Sequence, residues 1–347
     1  MPTDSAELSL LSLFSISTFF IFLVIKNLSK KIGNGILLDQ DFDKPQAFHK
    51  DPVPRCGGLA AIISLVIYIL INHLLFDEFL NDYFFLPATL FLIGFLDDLK
   101  LKINATSRLF AMIFILLLSI IFLSVNIENM DVPYLADWMR NRFFELFFIL
   151  LCFLFIVNGA NLIDGFNGLL AIHLIIINCI LLIISLSNEQ TEFALFIAAQ
   201  TVIFFSFLLF NFPSAKIFLG DSGSYLFGTI ITLNIIAINN ANPQISSFFF
   251  STLVFYLFFE VFFSFFRKLY QRKLPLLPDE NHLHMLVYKK LIKKNYLTSL
   301  IINTVYLFLI LPAFYFMENS LFSRIWFFSL LLFYLIFYYL ISRKSNS

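Results

Sequence analysis

Charged side chains are scarce in this chain of 347 residues: Asp, Glu, Lys and Arg together make up 13%, and acids and bases balance at 23 each. Soluble domains carry about 25% charge, so a water-soluble globule is excluded, and without a basic surplus nucleic acid is not an expected partner. Cysteine is almost absent. Cys56, Cys152 and Cys179 lack metal-ligand spacing and two of them fall inside apolar runs, which supports neither a zinc site nor a disulfide framework and makes them packing residues. Repeats, low-complexity tracts and long linkers are missing too, so residues 1–347 are expected to form a single domain.

What is there is apolar: 60% hydrophobic residues, 49 Phe and a mean hydropathy of +0.87. Runs long enough to cross roughly 30 Å of hydrocarbon as helices can be drawn at 8–28, 57–75, 80–96, 107–125, 143–160, 168–186, 192–210, 223–239, 245–266, 296–316 and 321–341. The predicted fold is an all-α, polytopic membrane bundle of about eleven transmembrane helices, the last two following the final polar insert. Asp4 and Glu7 stand where a cleavable signal would be basic, and no small-residue cleavage site precedes Lys26, so the first run is expected to stay attached.

Lys and Arg are distributed unevenly between alternate loops. Lys26–Arg55 holds six, Lys100–Arg108 three, Lys216 one, Arg267–Lys294 eight and the tail two, so 20 of 23 lie on one side. The other side has only Arg140, Arg142 and Arg324 amid an acidic surplus. The positive-inside rule then predicts an outer N-terminus and a cytoplasmic C-terminus for a multi-pass protein of the cell inner (plasma) membrane.

Five polar inserts interrupt the runs: 41–58, 97–108, 158–168, 218–224 and 278–284. In this topology all five fall on the cytoplasmic face, which predicts an active site there and a soluble substrate drawn from the cytosol. In the second insert, Asp97 and Asp98 are adjacent. Neighbours on a helix point about 100° apart, so they are expected to have different partners. In the third, Asn158, Asn161, Asp164 and Asn167 recur every third residue, which predicts one polar face, with glycines permitting close approach or a helix break. The fourth, Phe218–Ser224, opens a run. A helix N-terminus there suits phosphate, and Asp221 beside it suits Mg²⁺ bridging phosphate oxygens; the plainer reading is that Asp221 or Ser222 caps the helix. The fifth places His282 and His284 two apart, a spacing wrong for a helical metal pair but able to reach one ligand from an extended loop. The stretch after it, Met285–Lys294, reads as an amphipathic basic helix lying on anionic membrane lipids. The first insert combines fixed prolines, Arg55 and other cations with Gly57-Gly58, a preorganised loop for an anionic ligand.

Together these motifs resemble the polyprenyl-phosphate N-acetylhexosamine-1-phosphate transferases, over roughly residues 35–290. The resemblance is carried by Pro52–Gly58, Asp97-Asp98, Asn158–Gly165, Phe218–Ser224 and Pro278–His284, in family order. It implies that Asp221 with Asn161 holds Mg²⁺, Mn²⁺ being the alternative ion, and that Phe218 stacks on uracil with Asn167 against the same base. It also implies that Asp97, supported by Asp98, positions or deprotonates the lipid phosphate, and that Arg108 contacts the pyrophosphate. Asp164, His282 and His284 would line the same cleft, with Asn158 and Arg55 among the substrate contacts. Three departures stand out. Asn167 replaces a common Asp, Gln46-Ala47 replace an Arg-Lys pair so that Lys44 or Lys50 would substitute, and Met285 stands where a third histidine is common.

The reaction so implied moves an N-acetylhexosamine 1-phosphate from a UDP-N-acetylhexosamine to undecaprenyl phosphate with release of UMP, starting O-antigen or another surface polysaccharide. A homodimer is compatible with it, and an aspartyl-phosphate route is the two-step alternative. The His-x-His loop favours the polysaccharide-initiating branch over the UDP-MurNAc-pentapeptide phosphotransferases of peptidoglycan synthesis. A transporter or lipid flippase is the rival of another class; it would gather its charges near the midplane, where Glu260 is the main ionisable residue deep in a run and could cluster with Gln200 and Asn234, structural pairing being the commoner explanation. CDP-alcohol phosphotransferases are set aside because Asp164-Gly165 lacks the Ala-Arg and further aspartates of that site.

Overall fold

A computed structural model of the chain describes residues 4–29, 31, 35–40, 51–76, 82–101, 103–275 and 279–343. The elements run α1 (Asp4–Ser29), β1 (Leu38–Asp39), β2 (Val53–Pro54), α2 (Gly57–Phe76), α3 (Asp82–Asp98), α4 (Ala105–Phe122), α5 (Pro133–Met139), α6 (Arg142–Ile163) and α7 (Leu169–Ser187). They continue with α8 (Thr191–Asn211), α9 (Gly220–Ala241), α10 (Ser247–Leu253), α11 (Phe255–Tyr270), α12 (Leu283–Val287), a π-helical turn (Tyr288–Ile292), α13 (Asn295–Tyr315) and α14 (Ser320–Arg343). Nine helices among the described residues are long and apolar enough to cross a membrane. Exposed large side chains such as Phe110, Phe114, Leu209 and Leu332 give the bundle the apolar exterior that lipid requires.

Two of the eleven predicted runs differ from a straight span. Residues 245–266 form not one helix but α10 and α11, bent by 74°, which would count as a tenth crossing if the pair is one span. The break falls at Val254, a position that hydropathy cannot distinguish from its neighbours because both halves are equally apolar. α3 as described has 17 residues, the lower end of the spanning range.

The bundle is organised around α9. It is the most sheltered of the long helices, and α2, α3, α6 and α7 pack on it. Without a hydrophobic drive between helices in lipid, close backbone approach supplies the association. Gly94 on α3 shows it: a Cβ there would lie 2.5 Å from the Asp221 carbonyl carbon and oxygen, so α3 can seat against the start of α9 only with glycine at this position. Deeper in the bundle, Asn234 of α9 donates to Gln200 of α8 at 2.8 Å, and Asn178 of α7 donates to Gln200 at 3.4 Å. Glu260 does not join them. Its hydrogen bonds go to His282 and Leu283, so Glu260 is structurally paired and stands apart from the Gln200–Asn234 pair.

Candidate active site

The first four polar inserts meet around the first turn of α9, and the fifth reaches the third through Phe166. Arg55, directly after β2, pairs in parallel with Phe218; the Phe218 N–H donates to the Pro54 carbonyl at 2.9 Å, and the Gly57 and Gly58 N–H groups donate to Phe218 and Leu219 carbonyls at 2.9 and 2.8 Å. The Gly-Gly pair thus joins the first insert to the fourth by main-chain bonds. The third insert is joined to the fourth by Asn211, whose Oδ1 accepts from Gly168 N–H at 2.6 Å while its Nδ2 donates to the Ile217 carbonyl at 2.9 Å. Asn211 was not singled out from the sequence; its only signal is a buried amide at the end of an apolar run, two residues before Pro213.

Asp97 and Asp98 have different partners, as adjacent helical positions require. Arg108, in the first turn of α4, places one guanidinium nitrogen 3.0 Å from Asp97 Oδ2 and 2.7 Å from Asp221 Oδ2. Two carboxylates from distant inserts therefore converge on one cation. Asp98 points the other way: its oxygens accept from the Asp221 and Ser222 N–H groups at 3.1 and 3.0 Å. This corrects the sequence reading of the fourth insert. Neither Asp221 nor Ser222 caps α9; α3 supplies the cap, and two N–H groups expected to be free for phosphate are occupied.

Gly220 makes that cap possible. Its φ of +80° is left-handed, and a Cβ on it would lie 2.6 Å from Asp98 Oδ2. Gly220→Ala is expected to displace the Asp98 carboxylate and cost about 1–3 kcal/mol in backbone strain alone. The check is the unfolding temperature of the purified variant, where a value equal to the parent's would contradict this account.

Electrostatics at the site are crowded. Burial, reinforced by the charge of Asp221, raises Asp97, with Arg108 opposing. Burial and then Asp221 also push Asp98 up, to about 7, against the Ser222 N–H and Arg55. Asp164, the C-cap of α6, is raised well above the carboxylate range by burial and by Asp221 and Asp98. Arg55 is raised despite its burial, because Asp39, Asp221 and Asp98 surround it. It bonds Asp39 Oδ2 at 2.6 and 3.0 Å and stands 3.9 Å from Asp98. Asp39 is thus another residue the sequence reading missed.

The amides of the third insert do not form one face. α6 ends at Ile163, so Asn158 and Asn161 are helical, Asp164 caps the helix and Asn167 lies in the following turn. Asn161 Nδ2 donates to Ser224 Oγ at 3.1 Å, which brings it to α9 beside Asp221. Asn158 instead donates to its own helix at Leu154, 2.7 Å. Asn167 donates its side-chain N–H to the Pro213 carbonyl at 2.9 Å, and its main-chain N–H to Asn295 Oδ1 at 2.8 Å. Phe218 is half-buried on a fixed main chain. His282 and His284 are buried; His284 lies edge-on to Phe166, on the turn after Asp164, with ring centroids 5.2 Å apart. Burial pushes the His284 imidazole down to about 4. Lys44 and Lys50 lie outside the described residues. The predicted surface helix after His284 is corrected too: Leu283–Val287 is buried in the bundle, and only the π-helical turn and its lysines face outward.

Among the described residues no group of three or more His, Cys, Asp or Glu side chains is arranged to hold a metal ion. The donor set nevertheless fits Mg²⁺. That ion takes one or two carboxylates and completes its shell with water and phosphate, and Asp97 and Asp221 present two hard oxygens to a single point now taken by a cationic nitrogen.

The glycosyl transferase family 4 profile matches residues 82–239, which includes Asp97, Asp98, Arg108, Asn161, Asp164 and Asp221. An undecaprenyl-phosphate alpha-N-acetylglucosaminyl 1-phosphate transferase of Thermotoga maritima is 28% identical over 286 residues, 80% of each chain. A probable undecaprenyl-phosphate N-acetylglucosaminyl 1-phosphate transferase of Bacillus subtilis is 25% identical over 75% of this chain and 71% of its own. These matches support the polyprenyl-phosphate N-acetylhexosamine-1-phosphate transferases of glycosyl transferase family 4 as the family that this chain resembles. A second group of family members is also similar: a phospho-N-acetylmuramoyl-pentapeptide-transferase of Lactococcus lactis is 29% identical over 59% of this chain and 64% of its own. This glycosyl-1-phosphate transferase is thus a multi-pass membrane protein in which Gly57-Gly58, Asp98 and Asn161 all contact the start of α9.

Proposed function

We propose that the enzyme transfers an N-acetylhexosamine 1-phosphate from a UDP-sugar to undecaprenyl phosphate, releasing UMP, at the cytosolic face of the inner membrane. The observation that carries the proposal is the convergence of Asp97 and Asp221 on one nitrogen of Arg108. Among the described residues, the guanidinium groups that face Asp97, Asp98, Asp164 and Asp221 are Arg55 and Arg108, and Asp39 also claims Arg55. Two anionic substrates cannot join such a pocket without added positive charge.

Asp97 and Asp221, with the Asn161 amide oxygen, would hold Mg²⁺, which when bound supplies charge neutralisation for the pyrophosphate and the lipid phosphate. The protein's own side chains orient the reactants. Arg108 turns from its carboxylates toward the pyrophosphate, and Asp97 helps to position the lipid phosphate. Phe218 and Asn167 flank the base, and Asp164, His282 and His284 form the wall nearest the sugar. An oxygen of the lipid phosphate forms a bond to the sugar-linked phosphorus, the bond from that phosphorus to the bridging oxygen breaks, and UMP leaves with the electron pair. Asp98 serves this chemistry by fixing the first turn of α9, and so the direction of Asp221.

The polysaccharide-initiating role is preferred to the muramyl-pentapeptide role because the N-acetylglucosaminyl 1-phosphate transferases align over more of the chain. The experiment is UMP release by purified protein with a panel of UDP-sugars. Release is expected only with undecaprenyl phosphate, a divalent ion and one of the UDP-amino sugars. Chelation with EDTA is expected to stop it, and Mg²⁺ to restore it. Lipid movement across vesicles without UMP release would instead favour a flippase.

A further inference from the structure

Glu260, on α11, is 1% exposed. A carboxylate buried among phenylalanines is costly unless its oxygens are partnered, and both are taken up by consecutive residues of one loop. Its Oε2 lies 3.2 Å from His282 Nδ1, and its Oε1 accepts from the Leu283 N–H at 3.1 Å. A carboxylate can only accept, so Nδ1 carries a proton, and in the neutral ring Nε2 then keeps the lone pair. The His282 and His284 rings stack with centroids 5.7 Å apart and planes 5° from parallel, while both His284 nitrogens are buried without a hydrogen-bond partner. Of the two histidines, only His282 therefore has its tautomer set by a carboxylate. The pair reaches the turn after Asp164 through Phe166.

We propose that Glu260 is a positioning residue for the transfer reaction: it fixes His282 in the tautomer that presents Nε2 as an acceptor at the active face. The inference rests on the reading of His282 as a substrate-facing residue given under the proposed function. It is not a restatement of the loop's stability, because the loop has other anchors. Arg267 pairs with Asp279 at 2.6 Å, with both side chains nearly buried, and Tyr338 of α14 donates to the Asn281 carbonyl at 2.9 Å. These hold the loop in place when the Glu260 charge is removed. What is lost is the orientation of one imidazole.

The test compares Glu260→Gln, Glu260→Asp, His282→Ala and the Gln–Ala double variant in the full-length protein, reading kcat, KM for both substrates and the unfolding temperature. Glu260→Gln is expected to lower kcat about 10–100-fold with KM and unfolding temperature unchanged, and His282→Ala to fall to a similar level. The double variant is expected to be no worse than the poorer single one, since both act through the same ring, and Glu260→Asp to lie between Gln and the parent. Full kcat in Glu260→Gln beside an inactive His282→Ala overturns the inference and leaves the proposed function standing, as do losses that multiply in the double variant. Parental activity in His282→Ala removes His282 from the proposed site and the inference with it. Failure of both Glu260 variants to fold assigns that residue to folding alone and also overturns it.

Discussion

Asp221→Ala is expected to lower sugar-1-phosphate transfer by about 10³-fold or more while the protein still purifies folded. The two halves of this expectation have separate causes. The main-chain N–H of Asp221, not its carboxylate, carries the contact with Asp98 that starts α9, so truncating the side chain leaves the cap in place. The side chain is partly exposed, at 18%, and its recorded ion pair is with Arg108, which keeps Asp97 as partner in the variant. Loss of a partly solvated pair of this kind costs little in stability. Activity is different, since the variant keeps one of the two carboxylates that would hold a divalent ion between two anionic substrates. Near-parental activity would remove Asp221 from the proposed metal site.

Asp97→Asn and Asp98→Asn are expected to fail in different ways although the residues are adjacent. Both should lose transfer, but only Asp98→Asn should lower the unfolding temperature. Asp98 is 1% exposed and uses both oxygens on N–H groups of α9. An amide in its place turns a donor toward one of those N–H groups and leaves it unsatisfied, at about 1–3 kcal/mol; the favourable charge at the helix start is lost as well. Asp97 is 26% exposed and contacts Arg108 across a wetter space, so its amide keeps the fold. Equal unfolding temperatures for the two variants would contradict the division of labour between them.

The membrane class and the positions of the polar inserts were legible because they depend on composition and run length, which lipid constrains directly. The partnership of distant inserts was legible only as chemistry: Asp97, Arg108 and Asp221 could be named, but not that one nitrogen joins them. What escaped the sequence has identifiable causes. The bend between α10 and α11 falls within unbroken apolar sequence. The three-residue spacing of Asn158, Asn161, Asp164 and Asn167 suggested one helical face, yet the helix ends before the third of them. The cap of α9 comes from α3, a long-range contact that a local capping rule cannot find. Asp39 and Asn211 do their work through the main chain or a neighbouring arginine, and Met285–Val287, read as the start of a surface helix, is covered by the bundle.

The most direct test follows the phosphorus atoms of the donor. With UDP-N-acetylhexosamine labelled at the β-phosphate, purified enzyme, Mg²⁺ and undecaprenyl phosphate, the label is expected to enter the organic-soluble lipid together with the sugar, while a label at the α-phosphate stays in water as UMP. A β-label that remains in water as UDP, or a lipid that gains sugar without phosphorus, would contradict sugar-1-phosphate transfer at this site.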